Sequence, residues 1–162
     1  MKLITAISAF LVFFSSCSII RPGEVGVKTR FGKLSAPKSS GIIAYNPFVA
    51  RVIKLPTRTV NLEMLINLPS KEGLTIKAEI SILYKIKPDM ARKIIAEIGY
   101  DYEKIINAVF RSASANVTSN HFAKEMHSGE RDRIEREIAE SMNAILGEKG
   151  FIIEAVLLKS IT

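Results

Sequence analysis

The 162-residue sequence predicts an α+β domain, an antiparallel sheet packed with helices, preceded by an N-terminal hydrophobic anchor. Three observations predict it. Residues 75–87 alternate apolar and polar side chains with period two, the segments after residues 102 and 134 repeat apolar side chains every three or four positions, and residues 3–20 carry no charge. Strands come first, helices later, and one strand returns at the end, which is the order of an α+β domain. Residues 1–20 are assigned to the anchor and 21–162 to a single compact domain.

Met1-Lys2 leads into an apolar run from Leu3 to Phe14, closed by Ser15-Ser16-Cys17. A short basic start, an apolar stretch and a small-residue end is the layout of a secretory signal peptide. Phe14-Ser15-Ser16-Cys17 resembles a bacterial lipobox, in which Cys17 becomes the lipidated N-terminus, with Phe14 where Leu is usual. Counted through Ile20, the eighteen uncharged residues reach the lower limit for a helix spanning about 30 Å of hydrocarbon. Signal peptide with lipobox and transmembrane anchor are therefore both open, and they predict opposite topologies. Arg21, Lys28, Arg30, Lys33 and Lys38 follow the run against Lys2 alone before it; a transmembrane anchor would keep that flank cytoplasmic, whereas lipidation would export it. A third reading of the run is a buried core helix, and the alternative to lipidation for Cys17 is a small apolar residue in a membrane helix.

Arg21-Pro22-Gly23 punctuates the end of the run. Glu24 to Phe31 alternates, with Val25, Val27, Thr29 and Phe31 on the packed face of a strand. Gly32 and residues 35–41 read as loop, and 51–55 and 58–64 as two strands separated by Pro56. In the long strand from Thr75 to Lys87, Ile76, Ala78, Ile80, Ile82, Tyr84 and Ile86 face the core, and Lys77, Glu79, Ser81, Lys85 and Lys87 face out, with Leu83 the one break. Asp89 is placed to cap a helix over 90–97 that Gly99 closes. A second helix begins at Tyr102 with the stripe Ile105, Ile106, Val109, Phe110 and Ala113. A third follows Ser128, its apolar stripe made by Ile134, Ile138, Met142, Ile145 and Leu146, with Glu130 and Asp132 favoured in its first turn by the helix dipole. Lys149-Gly150 ends it, and Phe151 to Leu158 reads as a mostly buried strand.

Composition bounds the function. Hydrophobic residues at 48% and charged residues at 24% are ordinary globular values, and the net charge is +7. Basic and acidic residues are interspersed over most of the chain, which favours a solvated or membrane-facing surface, and with no zinc-finger spacing or aromatic basic motif no nucleic-acid partner is expected. A single cysteine rules out an internal disulfide. His121 and His127, six positions apart, share no helical face, and read as exposed or capping residues around an inter-helix loop. No metal set, cofactor motif or acid–base pair is visible, Glu135 being placed at i+4 from Arg131. No catalytic residue, metal or cofactor is assigned.

Ile20-Arg21-Pro22-Gly23-Glu24-Val25-Gly26-Val27 with Phe31-Gly32-Lys33, then residues 71–86, then Ile98-Gly99-Tyr100-Asp101-Tyr102 with Phe110-Arg111-Ser112-Ala113, resemble in this order the prohibitin homology (band 7, SPFH) domain shared by prohibitins, stomatins and flotillins. The resemblance covers about residues 20 to 161. It implies a bacterial-type membrane-tethered scaffold, not an enzyme, that forms rings or large homo-oligomers, organises membrane patches and partners a membrane-bound AAA protease. Family members usually continue into a charged coiled coil, whereas this chain stops at Thr162, so either it is a truncated product or its globular faces alone make the assembly. The alternative is a membrane-side adaptor or anionic-lipid-binding module without rings. The residues expected to matter are Cys17 for lipid attachment, and Lys77, Glu79, Lys85 and Lys87 with Arg131, Arg133 and Arg136 for subunit or membrane contact. The expected location is the bacterial cell envelope, periplasmic for a lipoprotein and cytoplasmic for a transmembrane anchor.

Overall fold

A computed structural model of the chain describes residues 16–127 and 129–161. The apolar run 3–14 lies outside them. The chain divides between Thr57 and Arg58 into two compact units.

The first unit is all β. Strands β1 (Ser16–Ile20) and β4 (Gly41–Tyr45) pair antiparallel, Ser16 beside Tyr45 and Ile20 beside Gly41. Strands β3 (Lys33–Leu34), β2 (Glu24–Arg30) and β5 (Ala50–Pro56) form a second antiparallel sheet in that order. The last five residues of the uncharged segment are thus sheet, and Ile20 is buried with Val25, Val27, Ile43, Ala50 and Leu55. Gly26 eases this packing: a Cβ there would stand 2.5 Å from Ile20 Cδ1 and force the Ile20 side chain to shift.

Phe31 corrects the period-two reading. It is not on the packed face but 74% exposed, with φ +47, followed by Gly32 at φ +78. Two consecutive left-handed residues between Arg30 and Lys33 make a two-residue hairpin turn whose twist matches the flanking strands. The alternation simply ran one residue past the strand end.

The second unit is a three-stranded antiparallel sheet, β6 (Val60–Pro69), β7 (Thr75–Ile86) and β8 (Phe151–Ile161), with helices on one face. All six apolar residues predicted for the packed face of β7 are buried. β6 continues five residues beyond the expected Met64, adding Ile66 and Leu68 to the core. A 3-10 turn, Pro88–Met90, precedes helix α1 (Ala91–Glu97), whose N-cap is Met90, so Asp89 is not the cap. Gly99, at φ +89, donates its N–H to Ile94 O and ends it. Helix α2 (Tyr102–Thr118) buries Ile106, Phe110 and Ala113, and a short helix α3 (Ala123–His127), absent from the pattern-based reading, precedes α4 (Arg131–Leu146). In α4 Ile134, Ile138, Met142 and Leu146 are fully buried while Ile145 is 44% exposed. Each such buried side chain contributes about 1.5–3 kcal/mol from apolar burial. Glu130 occupies the N-cap position, and Asp132 alone lies in the first turn.

β8 is the mostly buried strand expected, but an irregular one. Two bulges, opposite Glu79/Ile80 and Leu83/Tyr84, break its register with β7. Phe151, Ile153, Val156 and Leu158 keep the packed face, and Leu157 turns outward at 40% exposure. Helix α4 closes the outer edge of this strand. The Asn143 amide donates to Ile153 O and accepts from Ile153 N–H, both at 2.9 Å, and Glu135 Oε1 accepts from Leu158 N–H at 2.7 Å. Edge N–H and C=O groups that would otherwise invite another strand are answered by side chains eight residues apart on one helix face.

Candidate interaction surface

The open face of the second sheet is built from alternate residues of three strands. Register places Glu63 of β6 beside Ser81 of β7, and Asn67 beside Lys77. The bulges in β8 leave Glu154 and Lys159 out of the register, and both turn to this face. Glu154 meets Lys85 at 2.6 Å and accepts a bond from the Thr59 hydroxyl at 2.6 Å. Lys159 reaches across β7 to Glu63, which also accepts from the Asn61 amide. The Ser81 hydroxyl, only 2% exposed, donates to Asn61 Oδ1. Hydrogen bonds from Lys159 and Asn61 hold the Glu63 carboxyl below its ordinary value, and those from Lys85 and Thr59 do the same for Glu154.

These pairings revise the reading of an evenly wet strand face. Lys85 is committed to Glu154, and Lys87 lies past the strand end, its backbone N–H donating to Gly150 O at 2.9 Å. Lys77 is exposed at the far end, in a shallow depression shared with Leu65, Asn67 and Arg111. Glu79 is half-buried in mid-strand and adds to the negative field at Lys159. Arg111, from α2, is a contact candidate that periodicity missed, because nothing in its helical spacing signals a position at the rim of a sheet.

On α4 the three arginines do different jobs. Arg131 Nε bonds Glu135 at 3.2 Å, supporting the carboxylate that caps Leu158. Arg133 lies 2.9 Å from Glu137 and 3.7 Å from Glu130, both on its own helix turn. Arg136 is exposed and lines a shallow groove with Asp132, Glu154 and Leu157. Arg136 and Glu154, the partner of Lys85, therefore share one groove, while Lys77 and Lys87 are not among its lining residues. The predicted set is not one patch. Cys17 is exposed on β1, beside Ala44, in the first unit.

His121 is not the exposed loop residue expected. It is 9% exposed, with Nδ1 3.4 Å from Glu125 and Nε2 3.1 Å from Glu137. Its carbonyl accepts from Lys71 N–H, and Glu72 accepts from Ala123 N–H, so the β6–β7 hairpin and the α2–α3 junction are clasped together. The bond from His121 is the main cause holding the Glu137 carboxyl low. The two carboxylates contact opposite ring nitrogens, an arrangement suited to orienting the imidazole rather than to sharing a metal. The His127 side chain lies outside the described residues. Among the described residues, no group of three or more His, Cys, Asp or Glu is placed to hold a metal ion, and no helix is long and apolar enough to cross a membrane.

Comparison with known proteins agrees with this architecture. An uncharacterized protein of Methanothermobacter thermautotrophicus is 31% identical over 75 residues, a match that spans 46% of this chain and 22% of the length of that relative. The model of the SPFH domain / Band 7 family matches residues 18–162, from β1 onward through both units. The chain belongs to the SPFH domain / Band 7 family, a family of membrane-associated scaffold proteins.

Proposed function

We propose that this protein is a membrane-anchored, non-catalytic scaffold that associates with itself and gathers membrane proteins around it. The observation that carries the reading is the junction between the apolar run and the fold. Cys17, the residue that lipidation would make the N-terminus, is the second residue of β1, so no linker intervenes between that attachment point and the first sheet. A domain joined this tightly is held against the bilayer surface rather than at the end of a tether, which raises the effective concentration of copies confined to that plane. The exposed position of Cys17 supports lipid attachment at the same junction. The open sheet face, with its crossed ion pairs, offers a stiff polar surface for a neighbouring copy or for a client such as a membrane-bound AAA protease.

Light scattering after extraction in a mild detergent tests self-association: a multi-subunit particle is expected, and a stable monomer refutes it. Labelling with a fatty-acid analogue tests the attachment. Label that disappears in Cys17→Ala supports the lipoprotein; label that persists, or none at all, refutes it. Protease accessibility in spheroplasts then fixes the side, periplasmic for the lipoprotein and cytoplasmic for the anchor.

A further inference from the structure

The two edges of the second sheet are treated differently. On β8, backbone groups of Ile153 and Leu158 are bonded by Asn143 and Glu135. On β6, the hairpin to β7 sets which groups point outward. Ser70 N–H donates to Leu74 O at 2.8 Å and Ser70 O accepts from Gly73 N–H at 3.0 Å, so the backbone of Ser70 faces into the hairpin. The β6–β7 register then runs from Pro69 to Val60 without a shift. Alternation turns the backbone of Leu68, Ile66, Met64 and Leu62 toward β7, and that of Asn67, Leu65, Glu63 and Asn61 outward. Pro69, with no N–H to offer, falls in the outward phase, where a proline takes nothing from the ladder. Among the described residues, no strand and no side chain bonds the outward groups.

Native edge strands are usually blunted by lysines, bulges or a covering element. β6 has ten residues, no Lys or Arg, and no bulge against β7. Its one charge, Glu63, is matched by Lys159, and Leu65 stands 77% exposed among polar side chains. Cations gather toward one end. Lys77, beside Asn67 in the register, and Arg111, at the rim, line one shallow depression with Leu65 and Asn67. Neither forms an ion pair among the described residues. A lysine on this face can reach past a neighbouring strand, as Lys159 does from β8 across β7 to Glu63. A row of outward backbone groups, an apolar side chain and, two residues on, two unmatched cations are complementary to an extended segment that brings its own backbone, an apolar side chain over Leu65 and a carboxylate beside Asn67.

We propose that the outer edge of β6 is a docking site for an extended acidic peptide segment of a client protein, which adds antiparallel to β6 and sets a carboxylate against Lys77 and Arg111. Antiparallel addition continues the pairing of the whole sheet. It also orders the segment: the acid beside Asn67 comes two residues before the apolar side chain over Leu65. Such a site adds to the scaffold reading the chemistry by which a client is held, and it does not depend on self-association.

The probe is a fluorescein-labelled, end-capped peptide of alternating threonine and valine, with one glutamate two positions before its central valine. It is titrated with the full chain in mild detergent and followed by fluorescence anisotropy, and saturable binding is expected. Exchanging the glutamate for lysine is expected to weaken binding by about tenfold or more. Lys77→Glu with Arg111→Glu is expected to reverse that preference, restoring the lysine peptide and losing the glutamate one. N-methylating the peptide at its valines removes the strand hydrogen bonds without touching the protein, and is expected to abolish binding. Leu65→Pro, which removes an outward N–H and leaves the bonds to β7, is expected to do the same. A chain that forms a multi-subunit particle but shows no saturable binding overturns the docking site and leaves the scaffold standing; a monomer that binds the peptide does the reverse. Equal affinity for the two peptides overturns the recognition of the acid, and binding that survives N-methylation overturns strand addition. Peptide refused by the wild type, with a Leu65→Pro particle of lower mass, assigns the edge to a second copy and overturns the client site.

Discussion

Asn143 joins α4 to the β8 edge through two hydrogen bonds, and replacing it with alanine measures what that junction contributes. Each bond is 2.9 Å long and partly buried. A net worth of about 1 kcal/mol apiece, plus some penalty for leaving Ile153 N–H and C=O without a partner beneath a packed helix, gives a loss of about 2–3 kcal/mol. For a chain of this size that lowers the melting temperature by about 5–10 °C. Thermal unfolding followed by far-ultraviolet circular dichroism in detergent reads it, with Glu140→Ala, exposed on the same helix, as a control expected to stay within about 0.5 kcal/mol. Asn143→Asp is expected to be worse than alanine at neutral pH, because it still accepts from Ile153 N–H but sets a carboxylate against Ile153 O. An Asn143→Ala protein that melts with the wild type would refute the edge clasp and leave α4 docked by its apolar stripe alone.

Gly150→Ala is expected to cost about 2 kcal/mol or more, measured by chemical denaturation, since φ is +98 and the new Cβ would stand 2.5 Å from Met90 Cβ. Phe31→Asn is expected to raise stability by about 0.5–1 kcal/mol in the same assay, because asparagine accepts the left-handed turn position that phenylalanine strains; a loss of stability would show that the ring packs where its exposure says it does not. Acid sensitivity has a defined sign at Glu137. Its carboxyl is held below 4.5 in the folded chain, chiefly by His121 and then Arg133, so its stabilisation is fully present above 4.5 and is lost as pH falls through the lower folded value. Glu137→Gln should therefore flatten the acid limb of the stability profile, and an unchanged limb would place the acid transition elsewhere.

Where a single element decides its own pattern, the structure follows the sequence closely. The β7 alternation, the α4 stripe apart from the exposed Ile145, and the terminators Gly99 and Gly150 are each local, and each is found as read. Contacts between distant segments are what patterns could not carry. His121 is buried only because α3 and α4 bring Glu125 and Glu137 to opposite sides of its ring. Glu154 and Lys159 reach the open sheet face only because β8 is bulged, and hydropathy shows no bulge in Phe151–Leu158, a run apolar but for Glu154. Phe31 failed differently. Apolar and in phase, it counted as core, although the glycine after it was turning the chain back. Strand β1 was hidden inside an uncharged segment whose composition suits a membrane as well as a sheet.

The unequal edges of the second sheet limit how copies of it can be joined. On the β8 side the N–H groups of Ile153 and Leu158 are already taken by Asn143 and Glu135, whereas no strand pairs with the outer side of β6 among the described residues. Edge-to-edge addition of another strand is therefore hindered at β8 and open at β6. Two side chains of a single helix thus guard one end of the sheet against continued strand addition.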